Sequence, residues 1–83
     1  MSDLFRLHQL KPGQRAVITR VGGAAALRRR FIEMGIVKGE TICFERRAPL
    51  GDPMEYLIKG YHLALRKEEA ELIEISLHGG ENG

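Results

Sequence analysis

Apolar and polar residues alternate in five short segments of the chain, a pattern typical of half-buried β-strands. In the segment 41–47, for example, Ile42 and Phe44 fall on one side and more polar residues fall on the other. Glycine or proline bounds most of the segments, and Gly60 between two of them indicates either a hairpin or a sharply bent strand. The predicted strands are 14–21, 41–47, 54–59, 61–66 and 73–77.

One segment has helical periodicity instead. Residues 24–34 contain neither proline nor glycine, and Leu27, Phe31 and Met34 recur at i, i+4 and i+7, which places them on one helical face. Gly35 follows directly, where a left-handed residue commonly ends a helix. The pattern therefore predicts one α-helix over 24–34, between the first and second strands.

The predicted elements define the fold class. A turn is predicted at 11–14, where proline and glycine occur together, and a single helical turn at 67–72. Five short strands and one inserted α-helix predict a mostly β fold, a small and strongly bent antiparallel β-barrel. We expect one domain over residues 1–83, with its core at about 7–77 and a disordered tail at 78–83.

Composition limits the classes of protein that this chain can form. Its 83 residues are 29% charged and 43% apolar, as in a single small globular domain, which excludes a large multi-substrate enzyme. No segment approaches the roughly 18 uninterrupted apolar residues of a membrane-spanning helix, and the first residues lack a signal-peptide core. We therefore expect a cytoplasmic protein that is not embedded in a membrane.

The residue types that carry out chemistry do not form a recognised motif. The sequence has no phosphate-binding glycine loop and no zinc-protease motif, and Cys43 is its single cysteine. We therefore predict no enzymatic activity and no bound cofactor. Possible metal ligands are scattered without helical spacing, so no metal site is predicted from them: His8, Cys43, Asp52, Glu55, His62 and His78.

Charge is distributed unevenly along the chain. Residues 1–47 hold ten Lys or Arg and four acids, whereas residues 48–83 hold three Lys or Arg and seven acids. The most basic run is 28–30, three arginines in the predicted helix. Successive helical residues are about 100° apart, so these arginines cannot all face one partner. They form either a solvated face or, in part, a docking surface.

The segment 48–53 forms a loop because its two prolines and its glycine cannot continue a strand ladder. It is either a turn that closes the barrel or a rigid projecting tip with Leu50 at its crown. Loops on a rigid barrel often carry binding surfaces, and proline lowers the entropic cost of docking.

The order of these segments resembles the FeoA family. The resemblance covers about 7–75, and its most specific parts lie in the stretches LRRRFIEMGIVKGE, RRAPLGDPMEY and GYHLALRKEEAELIEI. It implies an SH3-like barrel and a cytosolic accessory role in bacterial ferrous iron uptake. The implied partner is the cytosolic, GTPase-containing region of the FeoB transporter, with no enzyme activity in the accessory protein itself.

The resemblance also implies candidate contact residues. Phe31 is either such a contact or a core residue, because related proteins often have a smaller aliphatic residue there. Family descriptions carry a generic association with transition metal ions, which the scattered ligands support weakly. The candidates on the helix and the loop are Leu27, Arg28, Phe31, Met34, Pro49, Leu50, Gly51 and Asp52.

The sequence also allows two other functions and one oligomeric state. A nucleic-acid-binding barrel would use the arginines of 28–30 with Arg46 and Arg47, although we expect no nucleic-acid partner. An Fe(II)-binding sensor or chaperone would depend on His62 or Cys43. A homodimer is possible through an exposed edge strand, for which 73–77 is the expected segment.

Overall fold

The computed structural model describes residues 4–77, so the tail predicted to be disordered lies outside the described residues. Six strands form one antiparallel sheet in the order β1-β6-β2-β3-β4-β5. All five predicted strands and both predicted helical segments are present. The elements in chain order are β1 (Leu4–Arg6), a 3-10 turn (Leu7–Gln9), β2 (Arg15–Val21), α1 (Ala25–Glu33), β3 (Thr41–Arg47), β4 (Met54–Ile58), β5 (Tyr61–Leu65), α2 (Lys67–Ala70) and β6 (Ile73–Ser76).

Strand β1 was not predicted from the sequence. Its three residues are all exposed, so no buried position alternates with a polar one. It forms because its backbone pairs with β6, with Leu4 opposite Ser76 and Arg6 opposite Glu74. The Arg6 side chain also donates to the Glu71 carbonyl oxygen at 2.8 Å. A strand that buries no apolar side chain leaves no periodic signal in the sequence.

The expectation that 73–77 is an exposed edge strand is wrong. Strand β6 pairs with β1 on one side and with β2 on the other. Its apolar residues Ile73 and Ile75 are fully buried. The edges of the sheet as described over 4–77 are β1 and β5.

The strands curl around one apolar core, and α1 covers it from one side. Every strand from β2 to β6 contributes buried apolar side chains, and the alternation read from the sequence matches the burial of Ile42 and Phe44. The rings of Phe44 and Tyr56 pack with their centroids 5.2 Å apart. The fully buried large side chains are Leu7, Ile18, Phe31, Ile36, Ile42, Phe44, Met54, Tyr56, Ile58, Leu65, Ile73 and Ile75.

Helix α1 ends in a Schellman motif. The Ile36 N–H donates to the Phe31 carbonyl oxygen at 2.9 Å, and the Gly35 N–H donates to the Ile32 carbonyl oxygen at 2.9 Å. Gly35 has a φ of 89°, as this motif requires. Phe31 and Ile36 are both fully buried, so the end of the helix is fixed against the core.

Strands β4 and β5 form a hairpin rather than one bent strand. Ile58 lies opposite Tyr61 across a two-residue loop. Both loop residues have positive φ, 51° at Lys59 and 83° at Gly60, as in a type I′ turn. This turn matches the natural twist of the two strands and fixes their register. Within 4–77, no helix is both long and apolar enough to cross a bilayer.

Candidate partner-binding surface

The apolar stripe of α1 belongs to the core. Phe31 is completely buried, and Leu27 and Met34 are half-buried against the core cluster. Phe31 belongs to the core cluster and has no exposed surface to offer a partner, which favours the alternative that it is a core residue. Of the four helical candidates, Arg28 alone is exposed.

Sequence reasoning missed the apolar residue that α1 presents to solvent. Ile32 has 58% of its surface exposed. It directly follows Phe31, so it lies off the stripe at i, i+4 and i+7. An isoleucine outside that stripe was the signal in the sequence that could have revealed it.

The loop 48–53 projects from the sheet with Leu50 at its tip. Leu50 is 96% exposed, which makes it the most exposed large apolar side chain among the described residues. The loop is nonetheless ordered by its own backbone. The Gly51 N–H donates to the Ala48 carbonyl oxygen at 2.7 Å, and the Ala48 N–H donates to the Pro53 carbonyl oxygen at 2.9 Å. Pro49 is also exposed, so the tip presents two apolar side chains on a fixed turn.

Asp52 anchors this loop to the rest of the molecule. Its Oδ1 accepts a hydrogen bond of 2.8 Å from the backbone N–H of Lys67, in the first turn of α2. Its Oδ2 lies 3.6 Å from the Arg66 guanidinium. A carboxylate is stabilised at a helix N-terminus by the unpaired N–H groups there. Asp52 thus acts within the chain, whereas the side chain of Leu50 is left uncovered.

The short helix α2 also holds α1 in place. The Arg30 guanidinium donates to Glu69 Oε2 at 2.9 Å, and Glu69 Oε1 accepts from the Arg66 N–H at 2.9 Å. Burial of the Glu69 carboxyl favours its neutral form, but these hydrogen bonds outweigh that effect and lower its pKa. Loop 48–53 and α1 are therefore both attached to α2, although they are far apart in sequence.

The three successive arginines have different environments. The Arg28 guanidinium donates to the Gly23 carbonyl oxygen at 3.0 Å, whereas Arg30 pairs with Glu69. Arg29 is exposed and forms no ion pair with the residues described over 4–77. The arginine run does not form one continuous basic patch.

The possible metal ligands within 4–77 do not converge. His62 Nδ1 lies 2.7 Å from Glu45 Oε1, and Arg46 Nε lies 2.8 Å from Glu55 Oε1, on the outer face of β3, β4 and β5. Cys43 is half-buried. Burial, and to a smaller extent the nearby Glu45 carboxylate, raises the pKa of its thiol. In the part of the chain that the structure describes, no three His, Cys, Asp or Glu side chains are grouped so that they could hold a metal ion. His78 lies outside the described residues.

Comparison with known proteins gives a consistent result. The model of the FeoA domain family matches residues 5–77. A fusion of Fe(2+) transport protein A with the Fe(2+) transporter FeoB from Porphyromonas gingivalis is 47% identical over 73 residues. That match covers 88% of this chain, and the chain spans only 9% of the length of the fusion protein.

Solved structures share both fold and sequence with this chain. The FeoA protein of Chlorobium tepidum superposes with a TM-score of 0.85 at 40% identity, covering 95% of this chain and 75% of that protein. FeoA of Stenotrophomonas maltophilia, crystallised with zinc and described as an SH3 domain protein, gives a TM-score of 0.72 at 28% identity. That match covers 87% of this chain and 89% of the other. The six-stranded sheet is therefore an SH3-like fold.

Proposed function

This chain belongs to the FeoA family, and on that premise we propose that it is an accessory protein of bacterial ferrous iron uptake. In this proposal it lies in the cytoplasm and contacts the cytosolic, GTPase-containing region of a FeoB-type transporter. It acts by that contact and performs no chemical step of its own.

The main support for this proposal is the fusion protein of Porphyromonas gingivalis. In it, a segment 47% identical to this chain is covalently joined to a FeoB transporter. Fusion keeps two domains at a high effective concentration, which is useful when they work together through a weak contact. The same pairing between separate chains would then depend on a surface that binds without the help of a linker.

Leu50 is the residue that we assign to this contact. The side chain of Leu50 is 96% exposed and adds nothing to the core. A partner that covers it removes apolar surface from water, which is favourable. The turn at 48–51 is already fixed by hydrogen bonds. Docking therefore costs little ordering of the loop. Pro49 and Gly51 complete the tip, and the half-buried Leu27 and Met34 on α1 remain candidates for contact with the same partner.

A titration followed by NMR tests the proposal. The ¹⁵N-labelled protein is titrated with the purified cytosolic region of a FeoB from the same organism, in the presence of a GTP analogue. We expect saturable shifts at Leu50 and Gly51 that Leu50→Asp abolishes without altering the circular dichroism spectrum. Ala64→Asp is the matched control, because it places the same charge at an exposed position on β5.

Two further titrations separate the proposal from its alternatives. Duplex DNA at low and physiological salt should give no saturable shifts, whereas a nucleic-acid-binding barrel would shift at its arginines and lose affinity steeply with salt. Fe(II) added anaerobically should shift His62 and Cys43 if the protein is an iron sensor. Shifts with DNA or Fe(II) and none with FeoB would refute the transporter contact.

A further inference from the structure

A groove lies beside α1, between the helix and the end of β2. It encloses about 460 Å³, and its apolar lining comes from both elements and from the segment after the helix. Ile36 is fully buried beneath it, and Val21 and Val37 are half-buried. We call this feature the α1–β2 groove, with the apolar residues Val21, Ile32, Ile36 and Val37.

Ile32 is the exposed apolar wall of the α1–β2 groove. It has 58% of its surface exposed and is absent from the residues that pack into the core. Its neighbour at i−4 is Arg28, so the face of the helix beside the groove is apolar and cationic. Isoleucine has a lower helix propensity than alanine, so an exposed isoleucine at position 32 does not stabilise the helix itself.

Three cationic side chains surround the groove, and no Asp or Glu among the described residues lines it. Arg20 has an ion pair of 3.2 Å with Glu74, but its side chain remains 70% exposed. Arg28 uses one N–H group on the Gly23 carbonyl oxygen. Lys38 is exposed and has no ion pair with any residue in 4–77. The charge of this rim is therefore largely uncompensated.

A second groove, on the outer face of β3, β4 and β5, shows the contrast. It encloses about 650 Å³, but it is lined by charges of both signs. These charges pair with one another, His62 with Glu45 at 2.7 Å and Arg46 with Glu55 at 2.8 Å. Because the charges of this second groove are already paired, they would attract a charged ligand only weakly. The α1–β2 groove is therefore the stronger candidate for a binding site.

We propose that the α1–β2 groove binds an acidic amphipathic segment of a protein partner. An apolar side chain of that segment packs against Ile32 and Val37, and its carboxylates reach Arg20, Arg28 and Lys38. Charge complementarity determines which partners are accepted, and apolar burial supplies affinity. The concave shape favours an inserted side chain over the flat surface of a membrane.

This surface differs from the one assigned to FeoB. Loop 48–53, which carries Leu50, is attached to α2, and Arg30 of α1 faces α2 as well. Arg28 instead borders the groove. Residues two positions apart on a helix, such as Arg28 and Arg30, point about 200° apart around its axis. The groove and the α2 side of the helix therefore face in different directions. The inference goes beyond the proposed function and stands or falls separately from it.

Two designed peptides test the inference on the full 83-residue protein. The first is a capped peptide of Leu, Glu and Gln with leucines at i, i+4 and i+7, and the second has Lys in place of every Glu. We expect the acidic peptide to give saturable NMR shifts at Val21, Ile32 and Val37, and the basic peptide to give none. Raising the salt concentration should weaken the acidic complex.

Single substitutions identify the contacts. Ile32→Ser should weaken binding of the acidic peptide about tenfold, by loss of apolar burial. Arg28→Gln should weaken it and flatten its dependence on salt. Arg29→Gln is the matched control, because it removes the same charge from the neighbouring position outside the groove lining. All three positions are exposed, so the fold should persist.

Several outcomes would overturn the inference. Equal binding of the acidic and basic peptides, or shifts confined to other surfaces, would show that the cationic rim does not select a partner. Unchanged affinity in Ile32→Ser would remove the apolar contact. Vesicles of phosphatidylglycerol and phosphatidylcholine form the last arm, and groove shifts with vesicles but not with the acidic peptide would assign the surface to a membrane.

Discussion

The hydroxyl group of Tyr61 donates a hydrogen bond to the carbonyl oxygen of Met34 and thereby joins β5 to the end of α1. The same hydroxyl oxygen lies so close to Gly35 that a Cβ atom at this position would collide with it. Gly35 also has a φ of 89°, which residues with a side chain rarely adopt. Two separate physical reasons therefore favour glycine at position 35.

The first prediction separates these two reasons. Gly39 has a φ of 95° and no neighbouring atom within 4 Å of an added Cβ, so Gly39→Ala measures the backbone cost alone. That cost is about 1–2 kcal/mol for a residue with a Cβ. We expect Gly35→Ala to lower the free energy of unfolding further, because it adds the collision. Urea unfolding followed by circular dichroism measures both variants.

A double-mutant cycle checks the cause. In the Tyr61→Phe background the colliding oxygen is gone, so the difference between Gly35→Ala and Gly39→Ala should shrink. A difference that is the same in both backgrounds would show that Tyr61 is not responsible for it.

The second prediction concerns two neighbours on α1. Phe31→Ala should lower the free energy of unfolding by about 3–5 kcal/mol, because it leaves a cavity in the core. Ile32→Ala should change it by less than about 1 kcal/mol, because the side chain is largely in water. Thermal or urea unfolding compares the two variants. Similar losses for both would contradict the orientation of the helix.

The sequence predicted which side of α1 is buried, but it did not reveal the apolar residue that α1 exposes. The stripe of Leu27, Phe31 and Met34 follows from helical periodicity, and the structure buries that side. Complete burial of Phe31 could not be predicted from the sequence, because it depends on strands that are distant from α1 along the chain. Ile32 lies outside that stripe, so helical periodicity gives no indication that it has a role.

Long-range pairing was the part of the fold that sequence patterns could not supply. Alternation predicted β6 as a strand, but its neighbours β1 and β2 lie at distant points of the chain. Position in the chain suggested an edge, whereas hydrogen bonding on both sides makes β6 internal. The role of Asp52 was hidden for the same reason, since its partner Lys67 belongs to another element.

The third prediction concerns the pH dependence of stability. The folded protein holds the pKa of Glu69 below its ordinary value of 4.5, so its ionised form is favoured by folding. This contribution is complete above the ordinary pKa and is lost as the pH falls through the lowered value. Glu69→Gln should therefore cost stability at pH 7 and cost less at pH 3. Glu68→Gln, at an exposed position on the same helix, is the control.

Urea unfolding of both variants at the two pH values provides the measurement. The loss at pH 7 should be about 1 kcal/mol, because Glu69 accepts one backbone hydrogen bond and pairs with a largely exposed arginine. A loss of equal size at pH 3 would mean that the charge of Glu69 contributes nothing.

The fourth prediction concerns the anchor of loop 48–53. Asp52→Ala removes the acceptor of the Lys67 N–H and should destabilise the protein by about 1 kcal/mol, as for loss of a helix cap. Amide hydrogen exchange at Gly51 and Lys67 should accelerate more than exchange in β2. If Asp52→Ala leaves these rates unchanged, another contact holds the loop.

The pairing of β1 with β6 has a consequence for how the chain folds. Leu4 lies opposite Ser76, so the partners of this pair are separated by almost the whole described sequence. Contacts between such distant segments raise contact order and slow folding. During synthesis β1 emerges before β6, so it cannot pair until β6 has also left the ribosome. Its exposed Leu4 and Phe5 would be open to chaperones throughout that interval.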